Sequence, residues 1–152
     1  SRGETDSTLD HALRRAAARG VKVRLIFSDW SGDDDIAALK GLAAVPGIEV
    51  RISRVPDWSG GYVPFGRVEH CKFAVADGAR AWIGTSNWEP GYFSTLRNVA
   101  LTIENARLAG QVLRTFDTSW AEPHALHLLP DTPYTMRVHA EKAPAGMKVY
   151  GE

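Results

Sequence analysis

The chain has 152 residues, 44% hydrophobic and 24% charged, the composition of one globular domain with room for a sizeable core. Lys plus Arg and Asp plus Glu both number 18, and this balance excludes the basic excess of a dedicated duplex-DNA binder, so any affinity for phosphate is local. Cys71 is the only cysteine, which excludes an intrachain disulfide and a cysteine metal cage, and no apolar run is long enough to span a bilayer.

Ser7-x-x-Asp10 has the form of a capping box, and Leu9, Leu13, Ala16 and Ala17 give a helical apolar face that runs to Gly20. Val21–Phe27 reads as a buried strand and Asp29–Asp33 as a polar loop. Ile36, Leu39, Leu42 and Ala43 mark a second helix, ended by Pro46-Gly47. Ile48–Val55 alternates through Ile48, Val50 and Ile52 and reads as a strand. The loop Pro56–Arg67 carries Trp58, Tyr62 and Phe65 among glycines and prolines. Val68–Ala76 predicts a strand, Asp77-Gly78 a turn, and Val99, Leu101 and Ile103 a further strand. Leu108, Val112, Phe116 and Trp120 form one helix stripe behind Asn105 as N-cap. After Pro123 the periodicity fades, with a short strand over Tyr134–Val138. This succession predicts an α/β domain, a mixed β-sheet flanked by helices.

The chemistry concentrates in the hairpin, which reads H-x-K-x-x-x-x-D and then G-T-S-N. Side chains alternate along a strand, so His70 and Lys72 share a face. If Asp77-Gly78 is a two-residue turn, Ala76 faces Ala79 and Thr85 comes opposite His70. Directly opposed residues stand roughly 4.5–5.5 Å apart at Cβ. Asn87 falls on the same face, so one hairpin gathers an imidazole, an ammonium, a hydroxyl and a carboxamide. Such a set can handle an anion.

These residues resemble the signature of the phospholipase D superfamily. The segments ALRRAAARGVKVRLIFSDW, YVPFGRVEH and GTSNWEPGYF extend the resemblance over roughly Leu9 to His127, to the C-terminal half of the endolysosomal exonuclease branch. The resemblance implies a phospholipase D-like half domain with one motif over residues 1–128, followed by a tail over 129–152. A strand precedes the first helix in that family, and here none does, so the chain reads as an excised half.

Phosphodiester cleavage through a covalent intermediate needs a nucleophile, an acid for the leaving oxygen, and donors for the remaining oxygens. Attacking and leaving groups lie roughly in line on opposite sides of phosphorus, so one histidine cannot fill both places. By the resemblance, His70 is either the nucleophile or the general acid. Its counterpart comes from a second motif half, either an N-terminal half of the same protein or a homodimer mate. Lys72, Asn87 and Thr85 bind phosphate oxygens, no metal or other cofactor takes part, and Asp77 makes the turn and a supporting hydrogen bond. The implied substrate is single-stranded nucleic acid, cleaved from its five-prime end. The alternatives are a phospholipid hydrolase or transphosphatidylase and a non-catalytic phosphate-binding or dimer-forming half. Single-motif nucleases carry a glutamate near the next strand, where this chain has Leu96-Arg97-Asn98, and the exonuclease branch also lacks it.

Other residues read as structural. Cys71, on the face away from His70, is a small core residue together with Phe73. His124-x-x-His127 has no third ligand beside it and reads as a chance pair. His11 and His139 are surface residues. Trp58, Tyr62 and Phe65 read as packing over the hairpin, with base stacking or lipid contact as the alternatives, and Trp88 and Phe93 buttress the site.

Overall fold

A computed structural model describes residues 4–29, 33–56, 69–88, 91–92 and 95–135. The elements among these run α1 (Glu4–Ala18), β1 (Val23–Ser28), α2 (Asp33–Ala43), β2 (Ile48–Ser53), β3 (Phe73–Ala76), β4 (Arg80–Gly84), β5 (Ala100–Glu104), α3 (Ala106–Ala121) and β6 (Ala125–His127).

Helix α1 begins before the expected cap. Ser7 lies inside it, and Asp10 instead accepts from Arg14 one turn later, at 2.7 Å from Nε and 3.0 Å from Nη2. Its C-terminus is where the sequence puts it, because Gly20 takes φ +88° and allows a double closure. The Gly20 amide donates to Ala17 at 2.8 Å and the Val21 amide to Ala16 at 3.1 Å.

The unit β1–α2–β2 has parallel strands, Val23 paired with Ile48 and Ser28 with Ser53. Alternation in β2 sends Ile48, Val50 and Ile52 into the core, at 7%, 1% and 0% exposure. They meet Ile36, Leu39 and Leu42 of α2, Ala17 of α1 and Leu128, with Leu25, Phe27 and Tyr134 packed around them. Each fully buried Val, Leu or Ile side chain among them contributes roughly 1.5–3 kcal/mol.

The antiparallel strand β6 takes the other edge of β2. The sequence reading has no strand there, since three residues carry no measurable period and two of them are exposed. It pairs His127 with Glu49 at 3.3 Å, so this histidine of the expected chance pair has a carboxylate beside it.

Because β6 occupies that edge of β2, the next strand in sequence does not join it. The expected α/β architecture with a mixed sheet is present, its strands divided between the mixed sheet β1-β2-β6 and the antiparallel sheet β3-β4-β5. Helix α3 ties them together. Asn105 caps it, accepting from the Leu108 amide at 3.1 Å. Phe116 meets Phe73 of β3 edge-on at 6.4 Å and stacks on Trp120 at 5.4 Å. Arg24 of β1 lies 4.8 Å from the Phe116 ring centroid, and Arg51 of β2 lies 4.3 Å from that of Trp120. Leu108, placed on the buried stripe by sequence, is 43% exposed; Ala109 beside it is fully buried.

At the C-terminal end of β1, the Asp29 side chain is 5% exposed and accepts from Arg54 Nε at 2.8 Å. Tyr134 donates its hydroxyl to the other Asp29 oxygen at 2.9 Å, and Arg54 Nη2 donates to the Thr135 carbonyl at 2.6 Å. Burial, then the bond to Asp29, pushes the Tyr134 hydroxyl up to about 12. The hydrogen bond to Asp29 likewise raises the Arg54 guanidinium above its ordinary value. Residues 129–135 are thereby fastened to the domain. The remainder of the expected Tyr134–Val138 strand, and the tail beyond it, lie outside the described residues.

Candidate active site

Strands β3 and β4 form the predicted hairpin with a different turn. Asp77 and Gly78 both take positive φ, 52° and 64°, as a tight turn requires. Ala79 also stays in the loop, its amide donating to Ala76 at 3.1 Å, and pairing resumes with Ala76 opposite Arg80. The extra residue acts as a bulge and shifts the register by one. Phe73 therefore faces Ile83, and the Gly84 amide donates to the Lys72 carbonyl at 2.9 Å.

This slip corrects the expected placing of Thr85. Counting on from Lys72 and Gly84, the residue opposite His70 is Ser86. Thr85 instead continues the pairing with the β5 side: its amide donates to the Val99 carbonyl at 3.0 Å. Its hydroxyl donates to Asn98 Oδ1 at 3.0 Å and accepts the Val99 amide at 3.1 Å. Asn98 in turn donates to the Tyr92 carbonyl at 2.8 Å. Thr85 and Asn98 thus tie the loop after β4 to the start of β5. Asn98 stands in the stretch where the single-motif nucleases have glutamate.

His70 and Lys72 precede the paired part of β3. His70 is exposed, and the Lys72 ammonium donates to the carbonyl of His70 at 2.8 Å. That bond draws the positive charge back along the strand to its histidine neighbour. Phe73, one residue on, turns to the opposite face and packs on α3. Lys72 accordingly stands on the face away from the helix. Ser86 is buried at 3% and its hydroxyl donates to the Asn87 carbonyl at 3.1 Å. Asn87, half-buried, follows where the chain leaves β4, and the slip that displaces Thr85 also removes the strand-alternation basis for placing Asn87 on the His70 face.

Cys71 is exposed, not a core residue as expected. It lies before β3 begins pairing, whereas α3 covers the sheet from Phe73 onward. Asp77 sits at the turn, five residues along the strand from Lys72, or roughly 16 Å at strand rise. Its side chain makes no hydrogen bond among the described residues, so the expected supporting bond is absent there. Val68, Phe93 and the aromatic loop with Trp58, Tyr62 and Phe65 lie outside the described residues. Among the described residues no three His, Cys, Asp or Glu side chains gather in a metal-holding group.

Sequence reasoning missed Trp82. It pairs with Ala74 and Thr102, on the Lys72 face of the hairpin, and meets Trp88 edge-on at 6.0 Å. The correct register would have exposed it, since Trp82 and Gly84 are two apart and share a face.

Residues 4–120 match the family described as cardiolipin synthase, PLD-like domain. The chain belongs to the phospholipase D superfamily. Members of this superfamily are hydrolytic phosphodiesterases. Among curated relatives it is 36% identical over 130 residues to phospholipase D Z of Dictyostelium discoideum, covering 83% of this chain and 30% of that protein. It is 35% identical over 142 residues to the human 5'-3' exonuclease PLD4, covering 82% and 28%. The chain thus spans about 30% of the length of these relatives. Two solved structures share the phospholipase D fold. NucT from Helicobacter pylori matches at a TM-score of 0.69 with 16% identity, over 80% of this chain and 74% of that one. Nuc from Salmonella typhimurium matches at 0.62 with 21% identity, over 78% and 72%. Among the described residues, no helix of this phospholipase D-like chain is long and apolar enough to cross a membrane.

Proposed function

We propose that this chain is one half of a two-motif phosphodiesterase that cleaves single-stranded nucleic acid as an exonuclease. The observation that carries the reading is the Lys72 ammonium held 2.8 Å from the His70 carbonyl, on the open face of the hairpin. A phosphate placed there meets an exposed imidazole and a fixed cation together. The relationship to the exonuclease PLD4 supports the nucleic-acid substrate.

The reaction runs in two displacements. One histidine attacks phosphorus through an imidazole nitrogen, so a P–N bond forms as a P–O bond breaks. The second histidine gives its proton to the departing oxygen. It then takes a proton from water, whose oxygen attacks phosphorus and breaks the P–N bond. His70 fills one of these places and a histidine of the second half fills the other, because the two stand on opposite sides of phosphorus. Lys72 neutralises one non-bridging oxygen and Asn87 donates a hydrogen bond to another, a contribution of order 10²–10³ in rate for each donor of this kind. Asp77 serves through the turn. No metal is needed, since the two histidines and Lys72 supply nucleophile, acid and cation.

The full-length protein tests this on a five-prime-labelled single-stranded oligonucleotide and on phosphatidylcholine vesicles, with and without EDTA. The expected result is stepwise loss of nucleotides from the five-prime end, unchanged by EDTA and abolished by His70→Ala. Turnover of phosphatidylcholine alone would make it a phospholipase. EDTA sensitivity or activity in His70→Ala would overturn the mechanism. The half-site reading is tested with residues 1–152 alone, which should be inactive on dilution and gain activity when the other half is added.

A further inference from the structure

Strand register places Trp82 beside the phosphate-handling lysine. Lys72, Gly84 and Ala100 form one row across the hairpin and β5, and Ala74, Trp82 and Thr102 form the next. Both rows face away from α3, which covers the side carrying Phe73. The Trp82 indole does not rise straight from its own position. A Cβ built on Gly84 would lie 2.6 Å from Trp82 Cη2 and Cζ2, so the outer ring rests on the Gly84 backbone, directly across from Lys72. Trp88 supports it edge-on at 6.0 Å, and the indole remains partly exposed.

The indole lies on the face opposite Phe73, and its neighbours in the described register are the small side chains Ala74, Ala100 and Thr102. Lys72 and Gly84 are directly opposed across the antiparallel pair, so the outer indole ring and the Lys72 side chain rise from adjoining positions on one face. A base has a π-face whatever its sequence, so an indole at this position suits single-stranded substrates generally.

We propose that Trp82, braced by Trp88, is the stacking platform for the base of the nucleotide whose phosphate Lys72 holds. This deepens the proposed function and rests on its assignment of nucleic acid to the Lys72 site. Loss of one stacked base weakens binding roughly ten- to hundredfold.

The test uses the full-length protein and the variants Trp82→Ala, Trp82→Leu and Trp82→Phe. Leucine covers Gly84 without offering a π-face, which guards against a folding defect in the alanine variant. Substrates are an oligothymidylate and the same oligomer with an abasic terminal residue. Trp82→Ala and Trp82→Leu should raise KM for the first about ten- to hundredfold with kcat changed little, and Trp82→Phe should recover most of the loss. On the abasic oligomer all four proteins should have similar KM. An equal loss on both substrates, or none on either, overturns the proposal. Binding is read separately by quenching of indole fluorescence with thymidine monophosphate against ribose 5-phosphate. If no oligonucleotide is cleaved, the exonuclease reading fails; base-specific quenching that disappears in Trp82→Leu still supports the platform. Its absence overturns it.

Discussion

Gly84 donates its amide to the Lys72 carbonyl at 2.9 Å, and this one bond decides which side chains share the face of the candidate phosphate site. It places Gly84 across from Lys72 and leaves the glycine as the floor for the Trp82 indole.

Gly84→Ala should therefore displace that indole, since the new Cβ would sit 2.6 Å from two of its ring atoms and 3.3 Å from the Ala100 Cβ. The expected cost is about 1–3 kcal/mol, typical of an added methyl group in a packed position. Denaturant unfolding gives the value. Combining Gly84→Ala with Trp82→Ala should cost less than the sum of the two, because the clash requires both side chains.

Asp77 holds φ 52°, a region most side chains avoid. Asp77→Gly should keep the turn, and Asp77→Val should lose about 1–2 kcal/mol to backbone strain. Activity should follow stability in both. Were Asp77→Gly to lose turnover while melting normally, the carboxylate would have a chemical role that its position at the turn does not suggest.

Thr85 and Asn98 act as one unit through their 3.0 Å hydrogen bond. Thr85→Ala and Asn98→Ala should each cost about 0.5–1.5 kcal/mol. The double variant should cost little more than either alone. A double-mutant cycle in urea measures the coupling, and strict additivity would refute the link between the loop after β4 and the start of β5.

Arg54→Ala should destabilise more than Tyr134→Phe. The first removes the charged hydrogen bonds from Arg54 to the nearly buried Asp29 and to the Thr135 carbonyl, about 1.5–3 kcal/mol for each with the guanidinium itself partly exposed. The second removes one donor, about 1–3 kcal/mol. The pH dependence is also set. Tyr134 is raised in the folded state to about 12, so its contribution is complete below its ordinary value and is lost as pH rises through about 12. Unfolding at pH 9 and at pH 12 should differ more in the parent than in Tyr134→Phe.

Local order was legible in the sequence because neighbouring residues encode it. The alternation of Ile48, Val50 and Ile52 marked a buried strand, Gly20 marked the end of α1, and Asn105 marked a cap. The residues of the motif were legible too, as an imidazole and an ammonium two apart on a strand. What faces them was not. Ala79 entered the loop where a two-residue turn would have paired it, and with a side-chain period of two that single residue moved Thr85 off the His70 position. The same slip brought Trp82 beside Lys72. Burial of Cys71 failed as an expectation because it precedes the paired part of β3, whereas the contact of this face with α3 is at Phe73. The division into two sheets follows from β6 taking the edge of β2, a pairing between residues some seventy positions apart. Strand pairing is a contest among distant segments for the same hydrogen-bonding edge, and no local pattern records which of them wins.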